Sequence, residues 1–133
     1  MPNISLIEKK LDLIVGYLSE LFPIISLDNA TIKNNKEKLR AVERLLQIIV
    51  DTAVDINTHI IAEENFESPD TYRGTFIVLG DKNVLPKEFS NKISDSVGLR
   101  NAVMHQYEKV DVDRMLNDIR NNIDDYKEYV RMK

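Results

Sequence analysis

The sequence predicts an all-α protein, an antiparallel bundle of about five helices in one domain that spans residues 1–133. Three long segments repeat apolar side chains at alternating spacings of three and four residues, the period of a bundle helix that buries one face. Glycine and proline number four each, whereas sandwiches and barrels need a turn roughly every 8–12 residues. No segment alternates apolar and polar residues as a half-buried strand does.

The first two helices follow from their apolar stripes and from the residues that bound them. Pro23 is expected to end or kink the first helix near its last apolar residue, because proline lacks an N–H and clashes with the preceding turn. Asp28, Asn29 or Thr31 is a candidate cap of the second helix. That helix is predicted to run to about Asn65. The two stripes comprise Ile4, Ile7, Leu11, Ile14, Leu18 and Leu21, then Leu39, Val42, Leu46, Ile49, Ala53, Ile56 and Ile60.

Three further helices are predicted in the C-terminal half. A turn at 67–70 precedes a short helix over 72–79, which Gly80 is expected to end. Pro86 is a typical first residue of a fourth helix. Asp111 is a plausible cap of the fifth. The stripe of this last helix comprises Val112, Leu116, Ile119, Ile123, Tyr126 and Val130.

Composition and charge exclude several classes of function. The chain has no cysteine, so a disulfide scaffold, a cysteine-based metal site and a thiol nucleophile are excluded. Its two histidines leave little material for a histidine-rich metal site, and no cofactor is expected. Net charge is −4, which is untypical of a general nucleic-acid binder. No apolar run approaches the roughly 18 residues of a membrane span, and no signal peptide is evident, so a cytoplasmic location is expected.

A local cluster of basic residues departs from this acidic balance. Over 31–44, five basic residues against two acidic ones give a charge of +3. The cluster is either a solvated helix face or a surface that contacts phosphate. Its members are Lys33, Lys36, Lys38, Arg40 and Arg44, with Glu37 and Glu43.

The stretch 98–107 carries the residues most suited to chemistry. If the fourth helix continues through it, Arg100 falls within an apolar stripe of Phe89, Ile93, Val97 and Met104. A guanidinium there is costly unless it is paired or faces a polar cavity or a partner. Along one edge of that stripe, one turn apart, lie Asn101 and His105.

This trio suits cleavage of RNA without a metal ion. A histidine moves protons near neutral pH, so His105 is a candidate to assist attack by the 2′-hydroxyl or to protonate the leaving oxygen. Arg100 is a candidate to stabilise the phosphorane. The competing interpretation is that both residues form a hydrogen-bonded core network or a dimer contact.

The motif Arg100-Asn101-x3-His105-x-Tyr107 resembles the Arg-x4-His-x-Tyr motif of HepT-like toxins in the HEPN superfamily. The resemblance extends over about residues 40–129, in the family's order and spacing. The family's long second helix resembles 40–47 and 54–61, and its middle segment resembles 68–72 with Phe76, Leu79, Leu85 and Pro86. Residues 102–104 depart from the family, because many relatives place a larger or basic residue after the asparagine.

The resemblance implies a homodimer whose active groove is built at the interface from both copies of the motif. It implies a metal-independent ribonuclease, the toxin of a type VII-like toxin–antitoxin system, with Arg100 and His105 catalytic and Asn101 as the supporting polar residue. It also implies a partner, a minimal nucleotidyltransferase (MntA-like) antitoxin, which transfers AMP to Tyr107 and silences the toxin. A bulky anion two residues from His105 would block the groove and repel an RNA phosphate.

The other tyrosines are weaker candidates for this modification. Tyr126 lies on the apolar stripe of the last helix and is expected to be buried, and Tyr17, Tyr72 and Tyr129 are distant in sequence from the motif. Because of this distance, AMP on any of these three tyrosines has no obvious way to block the groove.

Three alternatives remain open at this point. A catalytically inactive HEPN module would only bind the nucleotidyltransferase. A generic helical adaptor would explain the periodicity but not the motif. Asp55 and His59, one turn apart on the second helix, either orient the motif or form a local hydrogen bond on a partly polar face.

Overall fold

The computed structural model describes residues 4–105 and 111–132. Every regular element in these two ranges is an α-helix, which confirms the predicted all-α class. The helices are α1 (Ile4–Ile25), α2 (Asn29–Lys33), α3 (Lys36–Glu63), α4 (Tyr72–Asp81), α5 (Lys87–His105) and α6 (Val112–Met132).

The long helix α3 forms the centre of the bundle. It packs against α1, α4 and α5, while α6 packs against α5 and α1. By length and composition α3 is apolar enough to cross a membrane, but 61% of its most apolar stretch is buried inside the bundle. It is therefore the core helix of a soluble fold.

The predicted apolar stripes form the core except at their ends. The stripe of α3 is buried from Val42 to Ile60, and Leu39 is partly buried. At the start of α1, Ile4 is 62% exposed, so the prediction that it joins the core is wrong. The buried stripe residues of α1 and α6 are Leu11, Ile14, Leu18, Leu21, Leu116, Ile119, Ile123 and Tyr126.

The sequence predicts that Pro23 ends or kinks the first helix, and the prediction of an end is wrong. The helix continues through Pro23 to Ile25. Pro23 removes one hydrogen bond to the carbonyl of Ser19, and both residues are exposed, so water can satisfy that carbonyl. Leu21 and Ile25 are buried one turn apart and hold the last turn against the core.

The predicted second helix is two helices, and this break raises the count from about five to six. Asp28 caps the first piece, accepting a 2.8 Å hydrogen bond from the Thr31 backbone N–H. Asn35 caps α3 in the same way through the N–H of Lys38, at 3.1 Å. Two consecutive asparagines favour such a restart because their side chains compete for backbone hydrogen bonds.

The remaining helix boundaries agree with the prediction to within about two residues. The short helix α4 is capped by Thr71 and extends to Asp81, two residues beyond its predicted end. The carbonyl of Pro86 accepts the hydrogen bond from Ser90 N–H, so α5 begins one residue after the proline. Asp111 caps α6 as predicted, through the N–H of Arg114 at 3.3 Å.

A buried polar chain joins α6, α3 and α4. The Tyr129 hydroxyl donates to Asn57 Oδ1 at 2.6 Å, and Asn57 Nδ2 donates to Thr75 Oγ1 at 3.1 Å. Thr75 in turn donates to the carbonyl of Tyr72 at 2.7 Å. Burial raises the pKa of Tyr129, so this hydroxyl stays a donor. These linked hydrogen bonds fix the start of α4 relative to the core.

Candidate active site

Arg100 projects from α5 onto α3, where it meets Asp51. Its Nε donates to Asp51 Oδ1 at 3.1 Å, and Nη2 lies 3.1 Å from Oδ1 and 3.4 Å from Oδ2. The Arg100 side chain is 15% exposed and that of Asp51 is 35% exposed. The carboxylate therefore neutralises a largely buried guanidinium. This pairing offsets the desolvation cost expected for an arginine within an apolar stripe.

Asn101 completes this arrangement from the next position on α5. Its Oδ1 accepts a hydrogen bond from Arg100 Nη1 at 3.1 Å. The structure thus brings two of the three predicted catalytic-site residues together. His105 is the last residue of α5, and its side chain and Tyr107 lie outside the described residues.

The hydrogen bonds of Arg100 leave part of the guanidinium for a ligand. A guanidinium carries five N–H donors in one plane. Among the described residues, Asp51 and Asn101 engage three of them, on Nε, Nη2 and Nη1. One N–H on each of Nη1 and Nη2 has no partner among the side chains that the structure describes, and such a pair matches two oxygens of a phosphate.

The apolar stripe around Arg100 differs in one residue from the prediction. Ile93 and Val97 are buried as expected, at 0% and 4% exposure. Met104 is 36% exposed, so its assignment to the stripe is wrong, and Val103 is buried instead at 5% exposure. Val103 follows Arg100 by three residues, so it lies on the same buried face.

Tyr72 lies beside Arg100, which corrects the inference drawn from its distance in sequence. The Arg100 Cζ lies over the Tyr72 ring, 5.5 Å from the ring centroid, within the range of a cation–π contact. Both residues line a cleft of about 470 Å³ between the start of α4 and α5. The cleft is lined by Thr71, Tyr72, Arg73, Val97, Gly98, Arg100 and Asn101.

Asp55 and His59 make contacts along α3 and with α1. Asp55 Oδ2 lies 3.7 Å from Lys10 Nζ, and His59 Nε2 lies 3.8 Å from Glu63 Oε1. The Asp55 carboxylate therefore pairs with α1, although it lies one turn from Asp51 on the same face of α3. The role of Asp55 and His59 in orienting the motif stays a hypothesis.

The basic cluster divides into a structural part and a part near the motif. Lys33 forms a 3.0 Å ion pair with Asp113 at the start of α6, and this pair lowers the pKa of Asp113. Arg40 and Arg44 are exposed and line a second cavity together with Val103 and Met104. The N-terminal part of the cluster thus joins two helices, whereas the C-terminal part borders the motif helix.

Asp51 and Tyr72 are the site residues that the sequence does not single out. Asp51 belongs to a polar row at helical spacing on α3, with Arg44, Gln47 and Asp55, and such a row beside a buried stripe is the signal that could have found it. No comparable pattern marks Tyr72, because α4 contributes to the cleft only its first two residues, Tyr72 and Arg73.

Comparison with known proteins places the chain among ribonucleases. The family model described as "Ribonuclease HepT-like" matches residues 14–132. The chain is 37% identical over 135 residues to the "tRNA nuclease HepT" of Aphanizomenon flos-aquae, covering 98% of this chain and 90% of that protein. It is 25% identical over 85 residues to the "mRNA nuclease HepT" of Shewanella oneidensis, covering 64% of each.

The fold agrees with these sequence matches. The tri-AMPylated HEPN toxin of Shewanella oneidensis, solved in complex with its MNT antitoxin, superposes with a TM-score of 0.86 at 22% identity. The superposition covers 99% of this chain and 97% of that chain. The predicted resemblance is thereby confirmed. Because the family model and a 37% identical relative both match nearly the whole chain, the chain belongs to the HepT-like ribonuclease family.

Proposed function

We propose that this chain is the ribonuclease toxin of a toxin–antitoxin pair, that it acts in the cytoplasm and that Arg100 and His105 are its catalytic residues. The observation that carries the proposal is the Arg100 guanidinium, which Asp51 and Asn101 hold while two of its N–H groups have no partner among the described residues. The relative named as a tRNA nuclease and the solved complex of a HEPN toxin with an MNT antitoxin support it.

In the proposed reaction the RNA supplies its own nucleophile. The 2′-oxygen attacks the adjacent phosphorus, and the bond from phosphorus to the leaving 5′-oxygen breaks. His105 takes the proton of the 2′-hydroxyl or gives a proton to the leaving oxygen. Arg100 donates to the equatorial oxygens, whose negative charge increases in the phosphorane. DNA lacks the 2′-hydroxyl and is not a substrate for this route.

Asp51 acts as a positioning residue for Arg100. It engages the Nε side of the guanidinium, so the plane is fixed before substrate arrives. A preorganised donor loses less entropy on binding than a freely rotating arginine. Asp51 also cancels much of the arginine charge, so the contribution of Arg100 is directional hydrogen bonding more than long-range attraction.

We also propose a homodimer whose groove contains both copies of the motif. The reason is the placement of Arg100 and the exposed Asn101 at the edge of a buried stripe, where a symmetric polar groove accommodates both copies. Light scattering of the purified protein at micromolar concentration is expected to give the mass of two chains. The mass of one chain would contradict the dimer and the shared groove.

Control by the antitoxin is the last part of the proposal. The partner is a minimal nucleotidyltransferase encoded with the toxin. The phenolic oxygen of Tyr107 attacks the α-phosphorus of ATP, pyrophosphate leaves, and the AMP stays on the tyrosine. The phosphodiester that links AMP to the tyrosine brings a bulky group with one negative charge near the groove that must accept an RNA phosphate.

The proposed function is tested by incubating the purified chain with RNA in the presence of EDTA. We expect cleavage to continue, because the reaction uses an arginine and a histidine in place of a metal ion. A DNA strand of the same sequence is the matched control and is expected to stay intact. Loss of cleavage in EDTA would contradict the mechanism, and no cleavage in any buffer would favour an inactive module that only binds its partner.

A further inference from the structure

Tyr72 is an exposed aromatic residue, unlike two tyrosines of α6. Its exposure is 45%, whereas Tyr126 and Tyr129 are fully buried. Arg100 lies over the Tyr72 ring, and the ring also contributes to the wall of the cleft. An aromatic surface therefore stands open to solvent directly beside the proposed phosphate-binding group.

The backbone under Tyr72 is held firmly. Thr71 Oγ1 accepts a 2.9 Å hydrogen bond from Gly74 N–H, and the Tyr72 carbonyl accepts one from Thr75. Thr75 is tied to the core through buried Asn57. A Cβ at Gly74 would lie 2.8 Å from the Cβ of Pro69, so the turn before α4 packs closely on the helix. The exposed ring therefore projects from a rigid segment, the turn before α4 and the first turn of that helix.

Polar groups surround the ring at the mouth of the cleft. Arg73 Nη2 lies 2.9 Å from Asp95 Oδ1, and this pair links α4 to α5 at the cleft edge. The Asn101 side chain is exposed on the opposite wall. A flat apolar platform bordered by hydrogen-bonding groups, with a phosphate-binding arginine in contact, matches the chemistry of a nucleotide.

We propose that Tyr72 stacks against a nucleobase of the RNA, next to the phosphate that Arg100 binds. This inference rests on the proposed function. Stacking on an aromatic ring tolerates any base, because every base has a π face. Arg100 lies over one face of the Tyr72 ring, so the base stacks on the opposite face. Tyr72 therefore contributes to affinity for single-stranded RNA and to the placement of one nucleotide at the cleavage centre.

The first test compares Tyr72→Ala with Tyr72→Phe in RNA cleavage. We expect Tyr72→Ala to raise KM by about 5- to 150-fold, the range for loss of one stacked base, with kcat much less affected. Tyr72→Phe keeps the ring and is expected to keep KM within about twofold of the unsubstituted chain. Leu13→Ala, which removes an exposed apolar side chain from α1, is the matched control and should leave KM unchanged.

The outcomes separate this subsite from the function on which it rests. If the unsubstituted chain cleaves RNA and Tyr72→Ala leaves KM unchanged, the subsite is wrong and the proposed function stands. If the unsubstituted chain does not cleave RNA, the proposed function itself fails. If Tyr72→Ala converts a dimer to monomers in light scattering, Tyr72 is a subunit contact and the subsite is overturned.

A fluorescence measurement observes the stacking directly. The chain contains no tryptophan, so Tyr72→Trp introduces a single reporter into the cleft. In a His105→Ala background, a single-stranded RNA oligonucleotide is expected to quench this fluorescence in a saturable manner. Leu13→Trp in the same background is the control and should respond far less. Equal responses of the two reporters would contradict a base stacked at position 72.

Discussion

Replacing Arg100 or His105 with alanine is expected to lower the rate of RNA cleavage by about 100- to 10,000-fold. Loss of an acid–base group or of a preformed donor to a developing oxyanion has effects of this size. Cleavage of a labelled RNA under single-turnover conditions measures the rate. Circular dichroism is expected to show nearly unchanged helix content, because both residues lie on α5 and the buried apolar side chains of this helix are untouched.

A series of milder variants distinguishes the effect of the planar pair of N–H donors of Arg100 (the arginine fork) from the effect of its positive charge alone. Arg100→Lys keeps the positive charge but loses the planar pair of donors, so its rate is expected to be close to that of Arg100→Ala. Asp51→Asn keeps size and a hydrogen-bond acceptor, and its kcat is expected to fall less than that of Arg100→Ala, with KM maintained.

The matched control for this series is Arg131→Ala. Arg131 is an exposed arginine of α6 that pairs with Glu128, so its loss should leave cleavage unaltered. Arg100→Ala or His105→Ala cutting at the unsubstituted rate would refute the assignment of the catalytic residues. A lysine variant with full activity would refute the specific role of the fork.

Tyr107→Phe is expected to abolish silencing by the antitoxin. Phenylalanine keeps the ring and removes the oxygen that accepts AMP, so the variant should stay toxic when both proteins are co-expressed. Intact-mass measurement of the co-expressed unsubstituted chain should give increments of one AMP each, and peptide mapping should place them on the segment that contains Tyr107. The variant should carry no increment.

Tyr72→Phe provides the matched control for this second prediction. Tyr72 is exposed and lies near Arg100, so it is the strongest competing acceptor among the described tyrosines. Tyr126 and Tyr129 are fully buried, and burial raises the pKa of both hydroxyls, which makes them poor acceptors. Efficient silencing of Tyr107→Phe, together with loss of silencing in Tyr72→Phe, would move the switch to Tyr72.

The long helices were predictable because their stripes are long and regular. Repetition over about six turns outweighs one unfavourable residue, which is why α1 could be recognised although Pro23 lies inside it. Its exact end was not predictable, because the buried contact of Ile25 is a tertiary effect. The break between α2 and α3 has a local cause, since Asn34 and Asn35 favour caps over helix interiors.

The candidate site was predictable in part. Arg100 and Asn101 could be placed on one helix because spacing along a helix is fixed by its period. The partner of Arg100 could not, because Asp51 was one of several acidic residues on α3 and the pairing depends on how two helices are docked. The same applies to Tyr72, whose closeness to Arg100 arises from the packing of α4 on α5. Periodicity describes one helix at a time, whereas the site lies between three.

The separation of Asp51 and Arg100 along the chain has a consequence for synthesis. These residues are 49 positions apart and meet where α5 docks on α3, with Tyr72 supplied by a third helix. A nascent chain that has left the ribosome only as far as α4 lacks the proposed catalytic motif. A loosely collapsed full chain has the motif, but Asp51 does not yet hold Arg100 in place. Toxicity then requires the finished fold. The interval between translation and the docking of α5 on α3 therefore gives the antitoxin time to act before the toxin becomes active.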